Sequence, residues 1–401
     1  MLRSFIRALS TGILLGAAAH EAVGQEDFDL WERDISVEAT LVLAPGSGDD
    51  TAIGEGDVGL FEVSAGGSIE RILDSGARIG FRGALRLQKD HASRPGFAGS
   101  FPAGDLEGPR GALTGFALGP EADATGPRGS VESAHVYIEG GYGELSAGRD
   151  LGVAARFHEG DVGVFSHARA INPYLDPSGR SLVRTRHDLT GPSAKISYTS
   201  PRIIGVRAGL SFTPEAEASG LDRNPRFDGS GIDAPELRNG FELAVNGSRR
   251  LRESGIRLRG GLAWSSAESE PPAAGAVGLA DRVETVSIGA EAEIDAWRFG
   301  LSGLLSDDGL ASGDYSAWGA GLAYETGPWT LSGEIGEAQA DVISASGLSV
   351  SLGAARDIGD SARLAFGYQH HEIDPDAAFG GMTPGFSGRS SGVVVEITLT
   401  P

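Results

Sequence analysis

The sequence predicts an all-β protein, a 16-stranded antiparallel transmembrane β-barrel with short periplasmic turns and long extracellular loops. Three observations lead to this prediction. Apolar and polar residues alternate with a period of two in many segments, and the connections between these segments alternate between short and long. No run of apolar residues after the N-terminus is long enough for a membrane-spanning helix.

The stretch GARIGFRGALRLQKD, residues 76–90, shows the alternation most clearly. Its apolar side chains recur at every second position, which would scatter them around a helix but places them on one face of a strand. The opposite face carries Arg78, Arg82 and Arg86. Three glycines within the stretch also disfavour a helix, at about 1 kcal/mol each relative to alanine. We therefore predict a strand with one apolar and one cationic face.

Sixteen segments show this pattern, and an even number of strands about 10 residues long is typical of membrane barrels. The segments are residues 34–44, 60–72, 76–90, 130–141, 143–150, 193–200, 205–213, 241–251, 255–266, 283–295, 297–306, 315–325, 329–337, 348–355, 362–370 and 392–399. Short turns join alternate pairs. The longer connections are rich in Gly, Pro and Asp, notably at 91–128, 151–191, 214–239, 267–281 and 371–389. A β-sandwich gives no reason for strict alternation of connection length, whereas a barrel with two different rims does.

Residues 1–24 are predicted to be a secretory signal peptide, which leaves 25–401 as one barrel domain. Arg3 and Arg7 precede a short apolar run, and Ala22-Val23-Gly24 resembles a cleavage site. An exported barrel of this kind is expected in the outer membrane of a Gram-negative bacterium.

The composition argues against two further classes of protein. The chain has no cysteine, so disulfide bonds do not hold it together. Its formal net charge of −22 and the lack of a basic tail disfavour a nucleic-acid partner. The 62 glycines, roughly twice the usual share, show no Gly-X-Y period and fit tight turns and crowded strand faces.

Two belts of aromatic residues are predicted at the membrane–water interfaces. The belt beside the short turns contains Tyr142, Tyr198, Trp297, Tyr324 and Trp329. Residues nearer the loop ends or in mid-strand are Phe212, Phe241, Trp264, Trp318 and Phe366.

The lumen of a barrel with about 16 strands is too wide for side chains to fill, so we expect it to hold water. Charged side chains can then point inward without being desolvated. By their phase in the strands, these include Arg207, Arg257, Arg259, Glu291 and Arg298.

Taken together, these features resemble the Gram-negative general porins of alphaproteobacteria. The resemblance rests on GYGELSAGRDLG (141–152), on the long segment after it, and on KISYTSPRIIGVRAGLSFT (195–213). In that family a long third loop follows the first stretch, folds inward and narrows the channel. The resemblance implies a water-filled channel for passive diffusion of small hydrophilic solutes and ions, without enzymatic activity or a cofactor. It also implies a homotrimer in contact with outer-membrane lipid and lipopolysaccharide.

The resemblance further implies a pore constriction at which loop carboxylates face a wall of basic residues. The stretch HEGDVGVF (158–165) is a loose counterpart of the family's loop motif, and its acids are the best match, with Asp176 and Asp188 as second choices. The inward phase of 76–90 supplies the basic wall, and two arginines on the loop's return contribute. The predicted constriction residues are Arg78, Arg82, Arg86, Glu159, Asp161, Arg184 and Arg186.

Two stretches suggest metal binding only weakly. DRNPRFDGSGID (222–233) resembles a calcium loop but lacks an acid or amide at its fifth position and the closing Glu. His370 and His371, followed by Glu372 and Asp374, could hold a metal, but a polar loop entrance is the favoured interpretation. No metal site is predicted.

Two alternative functions stay open. A substrate-specific channel for a sugar or another small solute would want aromatic side chains along the lumen, and few aromatic residues have an inward phase. A barrel hydrolase would need a serine and a histidine within hydrogen-bond reach of each other. Ser133 and His135 share a strand face, but that face is the lumenal one, whereas a lipid hydrolase should present its pair to the membrane.

Overall fold

The computed structural model describes residues 31–44, 59–91, 94, 101–102, 108–119, 126–216, 235–270, 278–375 and 388–400. The predicted signal peptide and the calcium-like stretch 222–233 lie outside these ranges. Within them, no helix combines the length and apolar character that crossing a bilayer requires.

Sixteen antiparallel strands close into a barrel, which confirms the predicted fold class. The elements in chain order are β1 (Glu32–Leu43), β2 (Gly59–Ile72), β3 (Arg78–Lys89), β4 (Phe101–Pro102), β5 (Leu118–Gly119), β6 (Arg128–Gly140), β7 (Gly143–Asp150), α1 (Val153–Arg156), β8 (Ser193–Thr199), β9 (Val206–Ala216), β10 (Glu236–Arg250), β11 (Arg257–Glu270), β12 (Arg282–Ile294), β13 (Trp297–Ser306), β14 (Tyr315–Thr326), β15 (Trp329–Ala340), a 3₁₀ turn (Asp341–Ile343), β16 (Ala345–Ile358), β17 (Ala362–Pro375) and β18 (Gly388–Leu399). Strands β4 and β5 form a small parallel pair apart from the barrel. Strand β1 pairs with β18, so the barrel sheet has no free edge.

The alternation predicted for residues 76–90 is present in β3. Phe81 and Leu85 are 45% and 56% exposed on the outer surface, whereas Arg86 points inward and is 3% exposed. Exposed apolar side chains recur at the same phase in the other barrel strands. The outer face is therefore apolar, as a lipid environment requires.

The connections differ in length at the two rims, as predicted. Ile294 pairs with Trp297 across a two-residue turn, in which Asp295 takes the left-handed conformation with φ of 53°. Thr326 likewise pairs with Trp329 across two residues. The long connections, including 151–192, all leave from the opposite rim.

The aromatic belt beside the short turns is the better defined. The ring centroids of Trp297 and Tyr324 lie 4.4 Å apart across β13 and β14. Phe366, predicted nearer the loop ends or mid-strand, lies 6.0 Å from Trp329 and so joins the turn-side belt.

A hydrophobic core fills part of the barrel near the long loops. Its centre is Phe116, whose ring lies 5.6 Å from Phe101 and 6.0 Å from Tyr315. Inward side chains such as Val283 and Leu304 are buried in the same cluster. This core was not predicted, because strand periodicity alone treats every inward position as facing water.

Candidate functional site

The connection between β7 and β8, residues 151–192, lies inside the barrel, and we call it the inner loop. It begins with α1, where the backbone N–H of Ala154 donates to Oε2 of Glu242 on β10 at 3.0 Å. Near its end, the hydroxyl of Thr190 donates to Oε1 of the same side chain at 2.5 Å. One wall carboxylate therefore holds both ends of the loop.

The inner loop lies directly against inward-facing glycines of the wall. This glycine band comprises Gly261, Gly289, Gly300, Gly321, Gly336 and Gly353, on successive strands from β11 to β16. A Cβ atom at Gly289 would overlap the carbonyl oxygen of Glu159, and one at Gly321 would overlap that of Val162. Only a residue without a Cβ atom lets the loop and wall backbones approach so closely.

The far side of the inner loop is anchored to β18. Glu396, 1% exposed, accepts the backbone N–H groups of Ser166, His167 and Ala168 at 2.7, 2.9 and 2.7 Å. Such charge-assisted hydrogen bonds are roughly twice as strong as neutral ones. In the strand order of the barrel, β18 lies opposite β10, so the loop is held at two opposite walls.

A charged network stabilises the loop between these anchors. Arg169 donates to Glu334 on β15 at 2.6 Å and lies 3.9 Å from Asp161. His158 is 3.1 Å from the same Asp161 carboxylate, and Asn172 donates to it at 2.9 Å. Burial acts to raise the pKa of Asp161, but His158 and Arg169 outweigh it and hold the pKa well below its ordinary value. Asp161, predicted to face the basic wall, is thus engaged mainly within its own loop.

Glu159, the other predicted loop acid, faces a different part of the wall. The side-chain amide of Asn246 donates to it at 3.5 Å. Burial and the neighbouring Glu291 carboxylate raise its pKa above the ordinary value. Arg259 and Arg207 act in the opposite direction. Glu159 therefore lies beside inward arginines of β9 and β11, not beside those of β3.

The structure places Arg78 and Arg82 on the inner face of β3, where their guanidinium groups pair with carboxylates of neighbouring strands. Arg78 lies 3.4 Å from Glu70 and 3.6 Å from Glu139. Arg82 lies 3.4 Å from Glu144 on β7. Both side chains are about 40% exposed, so a solute in the lumen could reach them.

The remaining predicted basic residues do not form one wall. Arg86 lies 3.6 Å from Glu62 and is 3% exposed, and Arg184 is 2% exposed and donates to the carbonyl of Thr114 at 2.8 Å. Both side chains are therefore buried, away from the surface that a solute in the lumen could touch. Arg186 is half-buried, with its guanidinium 4.8 Å from the centre of the Tyr174 ring.

The second-choice acids are also buried. Asp176 accepts hydrogen bonds from Ser178 and Ser181 of its own loop at 2.6–3.0 Å and is 1% exposed. Asp188 is 2% exposed. Both therefore belong to the interior of the inner loop instead of its lumenal surface.

Sequence reasoning missed the wall carboxylates that hold the loop, although a signal for them exists. Glu396 stands between Val395 and Ile397 in an alternating strand, and Glu334 similarly precedes Ile335, so both have an inward phase. What the sequence does not show is that loop N–H groups replace water around them.

No metal site is evident in the part of the chain that the structure describes, where no three histidine or acidic side chains are grouped to hold an ion. His371 instead contacts Ser349 at 2.9 Å, and His370 contacts Ser391 at 2.6 Å.

Comparisons with known proteins agree with this architecture. OmpT of Vibrio cholerae, an outer membrane protein in its trimer form, has a TM-score of 0.54 at 11% identity, covering 93% of this chain and 100% of that one. Its loop L8 deletion mutant has a TM-score of 0.53 at 12% identity, with the same coverage. At such identities the likeness shows the fold alone.

A third solved structure, an anion-selective porin from Comamonas acidovorans, is 13% identical over 92% of this chain and 98% of that one. Its TM-score is 0.49. A search of curated proteins finds no significant match. The model of the Gram-negative porin family matches residues 17–376. The chain therefore belongs to the Gram-negative porin family, whose members form outer-membrane channels for passive diffusion.

Proposed function

We propose that the protein is a diffusion channel for small hydrophilic solutes and ions, and that the inner loop sets its size limit. One observation carries the proposal: Glu242 and Glu396 hold the loop at opposite walls. Because the loop backbone occupies part of the lumen, every solute must pass beside it.

The lumen on the turn side of the loop is suited to hydrated solutes. A hollow of about 550 Å³ opens between Glu38, Ser166, Arg363 and Thr398. Paired charges also line the inner face here, such as Arg259 with Glu293 at 2.8 Å. Polar groups of both signs can exchange hydrogen bonds with water and with passing ions, which favours diffusion over tight binding.

The proposed setting is the outer membrane of a Gram-negative bacterium, reached by export through the signal peptide at 1–24. The apolar outer face supports contact with outer-membrane lipid and lipopolysaccharide. A homotrimer is proposed by analogy with the trimer form of the Vibrio protein.

The test is a deletion of residues 159–173, followed by conductance in a planar bilayer and swelling of liposomes in sugars of increasing size. We expect higher conductance and entry of larger sugars. Glu334 and Glu396 would lose their loop partners but gain water, so the barrel should still close. Anomalous migration of unheated protein on gels would verify closure. Unchanged conductance and size limit in a closed barrel would contradict the proposal.

A further inference from the structure

Four guanidinium groups gather where the inner loop leaves the wall, on β3, α1, β9 and the turn before β9. We call Arg82, Arg156, Arg202 and Arg207 the arginine cluster. Arg82 and Arg156 approach different oxygens of Glu144, at 3.4 and 2.9 Å. One carboxylate therefore serves two cations.

The other two arginines share a neutral partner. Nε of Arg207 donates to Oδ1 of Asn246 at 3.0 Å, and Nη2 of Arg202 lies 3.5 Å from the same oxygen. Nη1 of Arg202 donates to the carbonyl of Gly205 at 2.7 Å. An amide and a carbonyl carry no negative charge, so these partners do not neutralise either guanidinium, and they occupy a minority of its five N–H donors.

Aromatic rings hold two members of the cluster in place. Arg207 lies 4.5 Å from the centre of the Phe157 ring, and Arg82 lies 4.0 Å from that of Tyr137. A guanidinium fixed against a ring presents its edge in a defined direction, which suits bidentate recognition of a planar carboxylate or of a phosphate.

Nearby acids compensate the cluster only in part. Asp150 lies 3.9 Å from Arg156, beyond hydrogen-bond distance, and Glu159 is an electrostatic neighbour of Arg207. The positive charges of Arg156 and Arg202 repel the positive charge of Arg207. The cluster therefore has more cations than the carboxylates beside it can neutralise.

The neighbouring part of the wall, on β11 and β12, has balanced charges instead. Arg257 lies 3.2 Å from Glu293, and Arg259 lies 3.4 Å from Glu291. Arg259 also lies 2.8 Å from Glu293, so two carboxylates serve two arginines and the charges of this sector balance.

We propose that the arginine cluster is a subsite for oxyanionic solutes, small carboxylates or phosphate-bearing molecules, during their passage. The inference rests on the proposed channel function and names its solute class. The formal net charge of −22 predicts a modest cation preference instead. Screening limits distant charges to a Debye length of roughly 8–10 Å, so the groups lining the lumen decide which ions are retained.

The test uses citrate as a probe of potassium chloride current through single channels in a planar bilayer. Citrate should reduce the current of the unchanged protein reversibly, in proportion to the fraction of channels whose arginine cluster holds citrate. In the double variant Arg202→Gln and Arg207→Gln, the half-blocking concentration should rise about tenfold, as expected for the loss of a charge-assisted hydrogen bond. The control is Arg257→Gln, which removes one positive charge from the balanced sector and should leave the citrate block unchanged, whereas Arg202→Gln, which also removes one charge, should weaken it.

The outcomes separate the two proposals. Absence of channels in the unchanged protein would overturn the diffusion function itself. Channels that citrate does not block, or that it blocks equally in the double variant, would overturn the subsite alone. Equal loss of block in Arg257→Gln would do so too, because the effect would then come from overall charge. If the double variant fails to insert, Arg202→Gln alone should weaken the block, since Arg202 contacts only neutral groups.

Discussion

The inner wall of this barrel has two kinds of surface built on the same strand periodicity. From β11 to β16, the inward positions at the level of the inner loop include the glycine band, and the loop packs against them without intervening water. On β3, β7 and β9, inward positions carry Arg82, Glu144 and Arg207, whose charged groups remain partly exposed to the lumen. Alternation therefore fixes which face of a strand points inward, whereas the size of the side chains decides whether that face is dry or wet.

The dry region depends on exact compensation of its polar groups. A buried carboxylate without partners costs several kcal/mol. Glu396 lies on β18, where the loop also meets the wall, and it avoids this cost because three N–H groups of the loop donate to it. The wet region has no such requirement, because the Arg82 side chain is 38% exposed and its guanidinium is accessible to solvent beside its partner at 3.4 Å.

The largest expected effect tests the strand phase on which both surfaces depend. Leu85→Arg places a charge on the lipid face of β3 and should reduce the free energy of unfolding by ~2–4 kcal/mol near the bilayer midplane. The control is Arg82→Gln on the inner face, which should fold normally and change ion selectivity. Urea titrations of folding into lipid vesicles would measure the stability of both variants, and reversal potentials in a salt gradient would measure the selectivity of Arg82→Gln. A benign Leu85→Arg combined with a disrupted Arg82→Gln barrel would mean that the phase is reversed.

A second variant pair separates the glycine band from ordinary strand glycines. In Gly261→Leu the new side chain would meet the carbonyl of Phe157, which a Cβ atom would already approach to 2.5 Å. We expect overpacking to cost about 1–3 kcal/mol and to displace the inner loop. The adjacent Gly260→Leu faces outward, where a Cβ atom makes only an ordinary contact at 3.5 Å. Equal thermal stability and conductance of the two variants would refute close packing of loop and wall.

The third prediction concerns the anchor of the loop. Glu396→Gln keeps the size of the side chain but replaces one acceptor oxygen with a donor, which faces backbone N–H groups. We expect the free energy of unfolding to fall by about 1–3 kcal/mol. We also expect a noisier single-channel current, because the loop would detach from the wall more often. Glu236→Gln is the control, since that side chain is 59% exposed, pairs with Arg238 of its own strand β10 and should alter neither quantity.

The smallest expected effect is a dependence on pH in the hydrophobic core near the long loops. Burial raises the pKa of Asp308 to about 6, even though Thr114 and Leu113 donate hydrogen bonds to its carboxylate. Because the folded pKa exceeds the ordinary value, the contribution of this group to stability is fullest below pH 4 and declines as the pH rises through about 6.

Thermal unfolding across this pH window should show a decline in the free energy of unfolding of ~1–3 kcal/mol, because one unit of pKa shift corresponds to ~1.4 kcal/mol at most. Asp308→Asn, which does not titrate, should lack this component. A decline of the same size in both proteins would assign the pH dependence to other groups.

The architecture was predictable from the sequence because a barrel strand carries its signal locally. The period of two in 76–90 identified β3 and its phase without knowledge of any contact. The interior was less predictable, because its structure depends on long-range packing. Glu396 is remote in sequence from the N–H groups that it binds, and Arg184 points into a core with Phe116 that no local pattern reveals.

The residues predicted to form the constriction show the same limit. Phase alone placed Arg78 and Arg82 inward, and the structure agrees. Their pairing with Glu70, Glu139 and Glu144, however, follows from strand order and register. The partner of Arg156, Glu144, could not be predicted, since Arg156 sits on a single helical turn within the loop.

An engineered disulfide would show whether the inner loop is fixed inside the barrel. The hydroxyl oxygens of Ser166 and Thr398 lie 3.4 Å apart, between the loop and β18. The chain has no cysteine, so the double variant Ser166→Cys and Thr398→Cys would report on this contact alone. Oxidation of the folded protein in vesicles should form the disulfide in nearly all molecules, visible as a reducible shift on gels, with conductance unchanged. Free thiols that persist after oxidation and react readily with membrane-impermeant reagents would show that the loop lies outside the lumen.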